Sequence, residues 1–143
     1  MNRNSLVEMT NLCVIHKENK FLVQKRKEGI FFPGGHIEQN ESITASVIRE
    51  ILEETGLSIE NPILCGIKDW INEDGSRYIV FLYKTDKFTG NLRSSKEGEV
   101  FWVTKEEFET LPVIWEMREV LQICESKNLS ELFYDEEDRI RLL

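Results

Sequence analysis

The chain has 143 residues, a length typical of one domain. Its hydrophobic share of 41% is enough for a globular core, which excludes a wholly disordered chain. Its 26 acidic and 18 basic residues give a formal charge of −8, and an acidic surface disfavours nucleic acid as a partner because it repels a polyanion. A small anionic substrate is still compatible with this charge where divalent cations neutralise the local site.

Targeting and redox signals are few. No apolar run is long enough to span a membrane, and residues 1–5 lack the apolar stretch of a secretory signal. Cys13, Cys65 and Cys124 match neither a disulfide framework nor a metal-ligand spacing. We therefore expect a cytoplasmic protein with no membrane partner and with reduced, mostly buried thiols.

Apolar and β-branched runs predict the strands. In chain order, the predicted extended segments are residues 10–16, 21–27, 59–71, 78–85 and 100–103. Turns are predicted at 17–20 and 73–76, a break in regular structure at 31–35, and a loop at 86–98.

Helix signals alternate with these strands. Residues 42–55 predict a helix that ends at Gly56, and residues 113–125 predict an amphipathic helix. Thr104 and Glu107 form a capping-box pattern that predicts the start of a third, short helix, which lies between these two helices in the chain. The acidic residues 135–138 are expected to be solvated, and the element order predicts a mixed sheet between helices.

The first predicted helix carries three carboxylates on one face. Glu50, Glu53 and Glu54 fall within an arc of about 100°, at spacings of three and four residues. Like charges at these spacings cost about 0.2–0.5 kcal/mol per pair, and a hard divalent cation such as Mg²⁺ or Mn²⁺ would reverse that effect. A merely solvated acidic face is the alternative.

The opposite face of this helix is expected to pack into the core. It carries Ala45, Ile48 and Leu52, with Ile51 at its edge.

The residues around the carboxylates extend the pattern to 23 positions, with the sequence GHIEQNESITASVIREILEETGL. Its fixed positions are Gly35, Glu41, the run 49–51, Glu53-Glu54 and the pair 56–57. This pattern resembles the Nudix box of the Nudix hydrolases at every fixed position. The resemblance implies an α/β/α sandwich with a mixed β-sheet, formed by residues 1–143 as a single Nudix domain. It also implies cleavage of a diphosphate linked to another moiety, usually with Mg²⁺ as cofactor.

The resemblance also implies roles for the residues of the box. Glu50, Glu53 and Glu54 resemble the metal ligands, and Gly35 adds its backbone carbonyl. Arg49 and Glu41 resemble the pair that braces the helix, and a plain surface salt bridge is the alternative for them. The metals would polarise phosphoryl oxygens and help to activate a water.

Outside the box, the chain resembles the MutT-type branch, whose members convert oxidised dGTP to the monophosphate and pyrophosphate. The segments FPGG at 32–35 and KEG at 96–98 fit that branch, which takes a further metal-binding carboxylate from the second loop. Glu97 is therefore a candidate metal ligand and Glu99 the next candidate. Arg26 matches a phosphate-contacting arginine. Solvated charge is the alternative for these residues.

The base pocket is expected to use aromatic side chains, because stacking on a base contributes on the order of 1–3 kcal/mol. The candidates are Phe32, Trp102 and Trp115, although both tryptophans could belong to the core, as is expected for Trp70. MutT-type proteins read the oxidised guanine with a late asparagine. Residues 111–122 contain none, so Glu116 or a backbone group would have to contact the base.

The two histidines are weak candidates for functional residues. His16 follows an apolar strand and is expected to be structural, and His36 is a minor candidate for a phosphate contact at a variable position of the box. No Ser/His/Asp or Cys/His arrangement is readable, so covalent catalysis is not indicated.

Three functions follow from these expectations. The first is a Mg²⁺-dependent nucleoside triphosphate pyrophosphohydrolase, with 8-oxo-dGTP as the leading small-molecule substrate. The second is a Nudix hydrolase of a nucleotide sugar, a dinucleoside polyphosphate or ADP-ribose, because the box specifies the reaction and not the leaving group. The third is a non-catalytic, nucleotide-sensing Nudix module, which the intact box acids disfavour.

Overall fold

The computed structural model describes residues 2–143. Its strands are β1 (Val7–Lys17), β2 (Lys20–Arg26), β3 (Gly29–Phe31), β4 (Gly34–His36), β5 (Leu57–Ile59), β6 (Ile63–Ile71), β7 (Arg77–Thr85), β8 (Phe88–Gly90), β9 (Glu99–Thr104), β10 (Glu131–Tyr134) and β11 (Ile140–Leu142). Its helices are α1 (Ile43–Thr55), α2 (Lys105–Thr110) and α3 (Met117–Glu125). Among residues 2–143, no helix is both long and apolar enough to cross a membrane.

Strand β1 lies at the centre of a mixed sheet with the order β11-β10-β6-β7-β1-β2-β3. It runs parallel to β7 and antiparallel to both β2 and β4, while β9 pairs with β2. The short strands β5 and β8 pair with each other in a separate ribbon.

Alternate side chains of β1 enter two different cores, because successive residues of a strand point to opposite faces. Leu12 and Val14 pack in a cluster that includes α2 and α3, whereas Cys13 and Ile15 pack in a cluster that includes α1. The sheet therefore lies between α1 on one face and α2 and α3 on the other, which confirms the predicted mixed sheet between helices.

The C-cap of α1 and the capping box of α2 form as predicted, with Gly56 ending α1 at φ of 80°. Ser42, predicted as the first helical residue, is instead the N-cap, and its side chain accepts a hydrogen bond from the Ala45 N–H at 2.9 Å. At α2, Thr104 and Glu107 form a reciprocal capping box.

The predicted core face of α1 is confirmed for Ile51, which is buried, and for Ile48, which packs against the core, but it is wrong for Ala45 and Leu52, which are exposed. The buried stripe consists of Ser46, Val47, Ile51, Glu54 and Thr55. The helix is rotated about its axis so that a box carboxylate, Glu54, enters the protein. The acidic face and the core face therefore meet instead of lying opposite each other.

Strand boundaries differ from the prediction where pairing partners decide them. The expected extended segment 59–71 is interrupted before β6, where Asn61 has φ of 48° and Pro62 follows. Segments 31–35 and 86–98 contain residues of β3, β4 and β8. The acidic segment 135–138 is mostly exposed, as expected, but it turns a β10–β11 hairpin that the sequence does not predict.

Helix α3 begins four residues later than predicted. The Ile30 N–H donates to the Pro112 carbonyl, and the Ile114 N–H donates to the Ile30 carbonyl, so residues 112–114 are held as an extended segment beside β3. Trp115 and Glu116 then adopt left-handed backbone angles, with φ of 57° and 56°, before the helix starts.

All three cysteine thiols are free. As predicted, Cys13 and Cys124 are buried, while Cys65 is half-buried.

Candidate active site

A cavity of about 1270 Å³ crosses the sheet from the C-terminal half of α1 to the β10–β11 hairpin. Its floor includes a row of neighbouring strand residues, Thr10, Val80 and Lys68, which are paired across β1, β7 and β6. One end, called the acidic end, carries the carboxylates of α1, and the other, called the aromatic end, combines aromatic rings with Asp135, Glu136 and Asp138 of the hairpin.

The acidic end is formed where α1 meets the backbone of β4. The Gly34 N–H donates to Glu54 Oε2 at 3.3 Å. A Cβ at position 35 would clash with the carboxyl group of Glu50, so a larger residue there would force this carboxylate to move. Gly35 therefore lets Glu50 lie against the backbone of β4, and the Gly34 N–H holds Glu54 beside it.

Asn11 of β1 fixes this junction from below. Its side chain donates to Ser46 Oγ at 2.8 Å and accepts from the Gly35 N–H at 3.2 Å. This buried residue links β1, α1 and β4. No sequence pattern predicts it, because a polar residue within an apolar strand is typical of no single role.

Arg49 holds the acidic residues of the box together. It donates to both oxygens of Glu41, at 2.8 and 3.1 Å, and to the His36 carbonyl at 3.0 Å. It also donates to Glu50 Oε1 at 3.0 Å and to Glu53 Oε2 at 3.2 Å. The side-chain hydrogen bond from Arg49 lowers the pKa of Glu41 and keeps this carboxylate ionised.

Burial disfavours the ionised forms of Glu54 and Glu50. Glu54 is 5% exposed, and burial raises its pKa to about 7, with the neighbouring Glu50 adding to the shift. Burial also raises the pKa of Glu50. The nearest guanidinium nitrogen to Glu54 belongs to Arg26, at 3.9 Å. A bound cation would relieve this unfavourable burial of charge.

The donor set at this end suits a hard cation. Carboxylate oxygens of Glu50 and Glu54 and the backbone carbonyl of Gly35 are the ligand types that Mg²⁺ and Mn²⁺ prefer. Glu53 is 59% exposed and is hydrogen-bonded to Arg49. Between residues 2 and 143, no three acidic, histidine or cysteine side chains already converge as a metal-binding group.

Arg26 connects the acidic end to the loop before β9. Its Nε donates to the Glu97 carbonyl at 2.5 Å and its Nη2 to Glu97 Oε2 at 3.2 Å. Arg26, the predicted phosphate contact, and Glu97, the predicted further metal ligand, both line the cavity. Glu99 is exposed and paired opposite Lys25, outside the cavity lining.

The aromatic end is built by residues from five separate segments. Trp115 packs on Phe31, with ring centroids 4.8 Å apart, and remains half-exposed. Trp70 stacks on Tyr78 at 4.4 Å and meets Tyr134 edge-on at 5.7 Å. Trp70 was expected in the core, but it stands in the cavity wall. Tyr78 and Tyr134 were not predicted, because their meeting depends on the register of β6, β7 and β10.

The structure does not bring two of the aromatic candidates to this end as free stacking surfaces. Trp102 lies on the α1 side of the sheet, where it stacks on Phe88 at 5.5 Å, and it does not line the cavity. Phe32 borders the cavity but is buried, and its ring packs on Phe108. Its neighbour Phe31 takes the position beside Trp115.

The polar candidates of the late segment are also engaged elsewhere. Glu116 accepts a hydrogen bond from the Tyr134 hydroxyl and does not line the cavity, so its carboxylate is not presented to a base. Arg118 donates to the Phe108, Glu109 and Leu111 carbonyls at the end of α2.

Each of the two histidines contacts another side chain. His36 Nε2 lies 2.8 Å from Glu8 Oε2. His16 packs edge-on against Phe21, in keeping with the structural role expected for it.

The raised pKa of Glu54 predicts that the stability of the metal-free protein depends on pH. The folded carboxyl has a pKa of about 7 against an ordinary value of 4.5, so the native state binds more protons than the unfolded state between these values. Stability of the metal-free protein should therefore fall as pH rises from 4.5 to 7. At pH 8 the cost is at most about 3 kcal/mol, at 1.36 kcal/mol per pKa unit.

Glu54→Gln removes this ionisation. In EDTA, the variant should unfold several degrees above the wild type at pH 8 and close to it at pH 4.5. Thermal unfolding followed by circular dichroism at both pH values measures the difference. Equal melting temperatures at pH 8 would show that ionised Glu54 carries no burial cost.

Comparison with known proteins agrees with this geometry. The family model described as the NUDIX domain matches residues 9–123. The chain is 39% identical over 115 residues to the uncharacterized Nudix hydrolase YvcI of Bacillus subtilis, covering 76% of this chain and 72% of that protein. It is 34% identical over 97 residues to an ADP-ribose pyrophosphatase of Methanocaldococcus jannaschii, covering 62% of this chain and 57% of that protein.

Solved structures show the same fold. The crystal structure of a mutator MutT protein from Bacillus halodurans superposes with a TM-score of 0.78 at 28% identity, covering 94% of this chain and 97% of that chain. A MutT Nudix hydrolase from Burkholderia pseudomallei, at 23% identity and a TM-score of 0.70, shares the fold over 82% of this chain and 98% of its own. The chain therefore belongs to the Nudix family, and it is a Nudix hydrolase.

Proposed function

We propose that this protein is a MutT-type, Mg²⁺-dependent pyrophosphohydrolase of purine nucleoside triphosphates, with 8-oxo-dGTP as its preferred substrate. The observation that carries the proposal is a continuous cavity with box carboxylates at one end and stacked aromatic rings at the other. A nucleoside triphosphate has the same polarity, with a charged end and a planar end. The products would be the nucleoside monophosphate and pyrophosphate.

We assign the metal-binding role to the acidic end. Glu50, Glu53 and Glu54, the Gly35 carbonyl and Glu97 would hold Mg²⁺, or Mn²⁺ in its place. The metal would supply charge screening, polarised phosphoryl oxygens and a more acidic bound water. Arg49 and Glu41 are positioning residues, because their bidentate pair fixes the side from which Glu50 enters the cavity.

The reacting groups follow from this arrangement. Water attacks phosphorus, the anhydride P–O bond breaks, and pyrophosphate leaves. Glu50 is our candidate for accepting the proton of the water, because Arg49 binds its Oε1 and burial raises its pKa towards that of a useful base. Arg26, which lies between Glu54 and Glu97, is placed to contact the phosphate chain.

The base would occupy the aromatic end. Trp115 on Phe31 and Trp70 on Tyr78 offer flat apolar surfaces at the cavity wall, where a purine would bury apolar area and stack. Selection of the 8-oxo form needs a polar contact at the base edge, because a site built around a hydrogen bond rejects an analogue that lacks it far better than an apolar slot does.

A second candidate is hydrolysis of ADP-ribose or a nucleotide sugar. The cavity of about 1270 Å³ exceeds the roughly 300–1,000 Å³ of common small-molecule sites, so it has room for a second sugar. The relative from M. jannaschii is named for ADP-ribose.

Comparing kcat/KM for 8-oxo-dGTP, dGTP, ADP-ribose and a nucleotide sugar separates the two candidates. We expect the largest value for 8-oxo-dGTP, followed by dGTP. Trp115→Ala should lower kcat/KM for the preferred substrate about tenfold or more, because a stacking surface is lost. Trp102→Phe, on the other face of the sheet, is the matched control. A larger value for ADP-ribose or the nucleotide sugar would overturn the substrate assignment and leave the metal chemistry standing.

A further inference from the structure

A buried lysine lies at the aromatic end of the cavity. Lys68 is 5% exposed and occupies the middle of β6, where it is paired with Val80 of β7 and Leu132 of β10. A lysine ammonium is costly to bury unless it is paired and hydrogen-bonded. Most buried positions of this sheet carry apolar side chains, so a cation here calls for a specific reason.

The Lys68 ammonium group has polar contacts and two aromatic neighbours. Its Nζ donates to the Trp115 carbonyl at 2.6 Å and lies 3.6 Å from Glu116 Oε2. The rings of Trp70 and Tyr134 lie 5.6 and 5.5 Å from the same nitrogen. An ammonium group has three donors and no acceptor. Since Lys68 lines the cavity, the donor capacity left over by Trp115 and Glu116 is available to a ligand.

The turn that holds this lysine is strained. Trp115 and Glu116 both have left-handed backbone angles, which are uncommon for large side chains. The turn aims the Trp115 carbonyl at Lys68 and places the Trp115 ring on Phe31. The Tyr134 hydroxyl also holds Glu116, the partner of the lysine. Strained backbone of this kind is concentrated at ligand-binding sites, where surrounding contacts maintain it.

A group that only donates hydrogen bonds selects ligands by their acceptors. The Watson–Crick and major-groove edges of guanine and hypoxanthine present a 6-oxo acceptor, and lysine is a common partner for the O6 and N7 atoms of guanine. Adenine presents an amino donor at the same position. A donor facing Lys68 would leave the remaining N–H of this buried ammonium without an acceptor, and such mismatches are penalised strongly.

We propose that Lys68 is a specificity-determining residue that selects 6-oxopurine over 6-aminopurine bases in this cavity. The inference rests on the proposed nucleotide-binding function and names the residue that would read the base. Glu116 and Tyr134 are positioning residues, since they act on the base only through the lysine.

The test compares dGTP, dITP and dATP as substrates for the wild type, Lys68→Met and Lys68→Arg. The dITP base keeps the 6-oxo group but lacks the 2-amino group of guanine. It therefore separates recognition of the 6-oxo group from recognition of the 2-amino group. We expect kcat/KM for both oxopurines to exceed that for dATP by about tenfold or more, as a good polar base contact gives. Lys68→Met should reduce that ratio to within about threefold, and Lys68→Arg, which keeps the charge and the donors, should retain most of it.

Folding and general charge effects are controlled separately. Lys105→Met removes an exposed lysine outside the cavity and should leave the ratio unchanged. The ratio between bases is insensitive to a loss of active protein, because each variant is compared with itself. An unchanged ratio in Lys68→Met would overturn the inference, and so would dITP behaving like dATP.

Binding of dGMP, dIMP and dAMP, followed by quenching of tryptophan fluorescence, distinguishes this inference from the function on which it rests. Turnover of all three triphosphates without a base preference would overturn the role of Lys68 and leave the proposed hydrolysis intact. No turnover together with preferential, Lys68-dependent binding of dGMP and dIMP would overturn the hydrolysis and support the selectivity.

Discussion

Glu50→Gln and Glu54→Gln should each lower kcat by at least about a hundredfold, the scale expected for losing a group that activates water or binds the metal. Both carboxylates line the cavity next to the β4 backbone, and both are partly or wholly buried. Glutamine keeps the size of the side chain and removes the charge. Glu53→Gln should cost less, because Glu53 is 59% exposed and held by Arg49.

Steady-state assays at saturating Mg²⁺, with pyrophosphate measured as product, give the required values. Glu60→Gln, at an exposed position outside the cavity, is the matched control and should retain full activity. Circular dichroism establishes that each variant is folded. Near-native turnover in folded Glu50→Gln and Glu54→Gln would exclude the proposed metal-binding mechanism.

Removal of divalent cations should abolish turnover. The protein carries a formal charge of −8, and the acidic end of the cavity is lined by Glu38, Glu50, Glu53, Glu54 and Glu97 against Arg26 and Lys96. These carboxylates repel a polyphosphate, and two cationic side chains do not compensate five carboxylates. EDTA should reduce the rate to background, and added Mg²⁺ or Mn²⁺ should restore it.

The melting temperature gives a second measure of metal binding that does not depend on activity. Mg²⁺ should raise the melting temperature of the wild type at pH 8, because a ligand that binds only the folded state stabilises it by mass action. Glu54→Gln should show a smaller rise, since one carboxylate of the proposed site is lost. Activity that persists after exhaustive chelation would contradict the requirement for a metal.

The sequence by itself determined the features that depend on neighbouring residues. Gly56 ends α1, and Thr104 with Glu107 opens α2, because these hydrogen bonds form within one turn of chain. The spacing of the box from Gly35 to Leu57 likewise indicated the family, which the match over residues 9–123 confirms. Such patterns can be read without knowing what the segment packs against.

Helix orientation could not be read in the same way. The apolar residues Ala45, Ile48 and Leu52 predicted one buried face, yet Glu54 is buried and Leu52 is exposed. The contacts of α1 with β4, and the link from Asn11 to Ser46, set the rotation of the helix. Glu54 is therefore buried at the cavity wall, and Leu52 is exposed instead of lying on the expected core face.

Only the tertiary structure decided the aromatic end of the cavity. Trp70 meets Tyr78 through the register of β6 with β7, and Tyr134 arrives from a hairpin far along the chain. The backbone hydrogen bonds between Ile30 and residues 112–114 delay α3 and place Trp115 beside Lys68. A strand's register is fixed by its partners and by the face that they bury together, so the residues that form the aromatic end are determined by long-range pairing and not by local sequence.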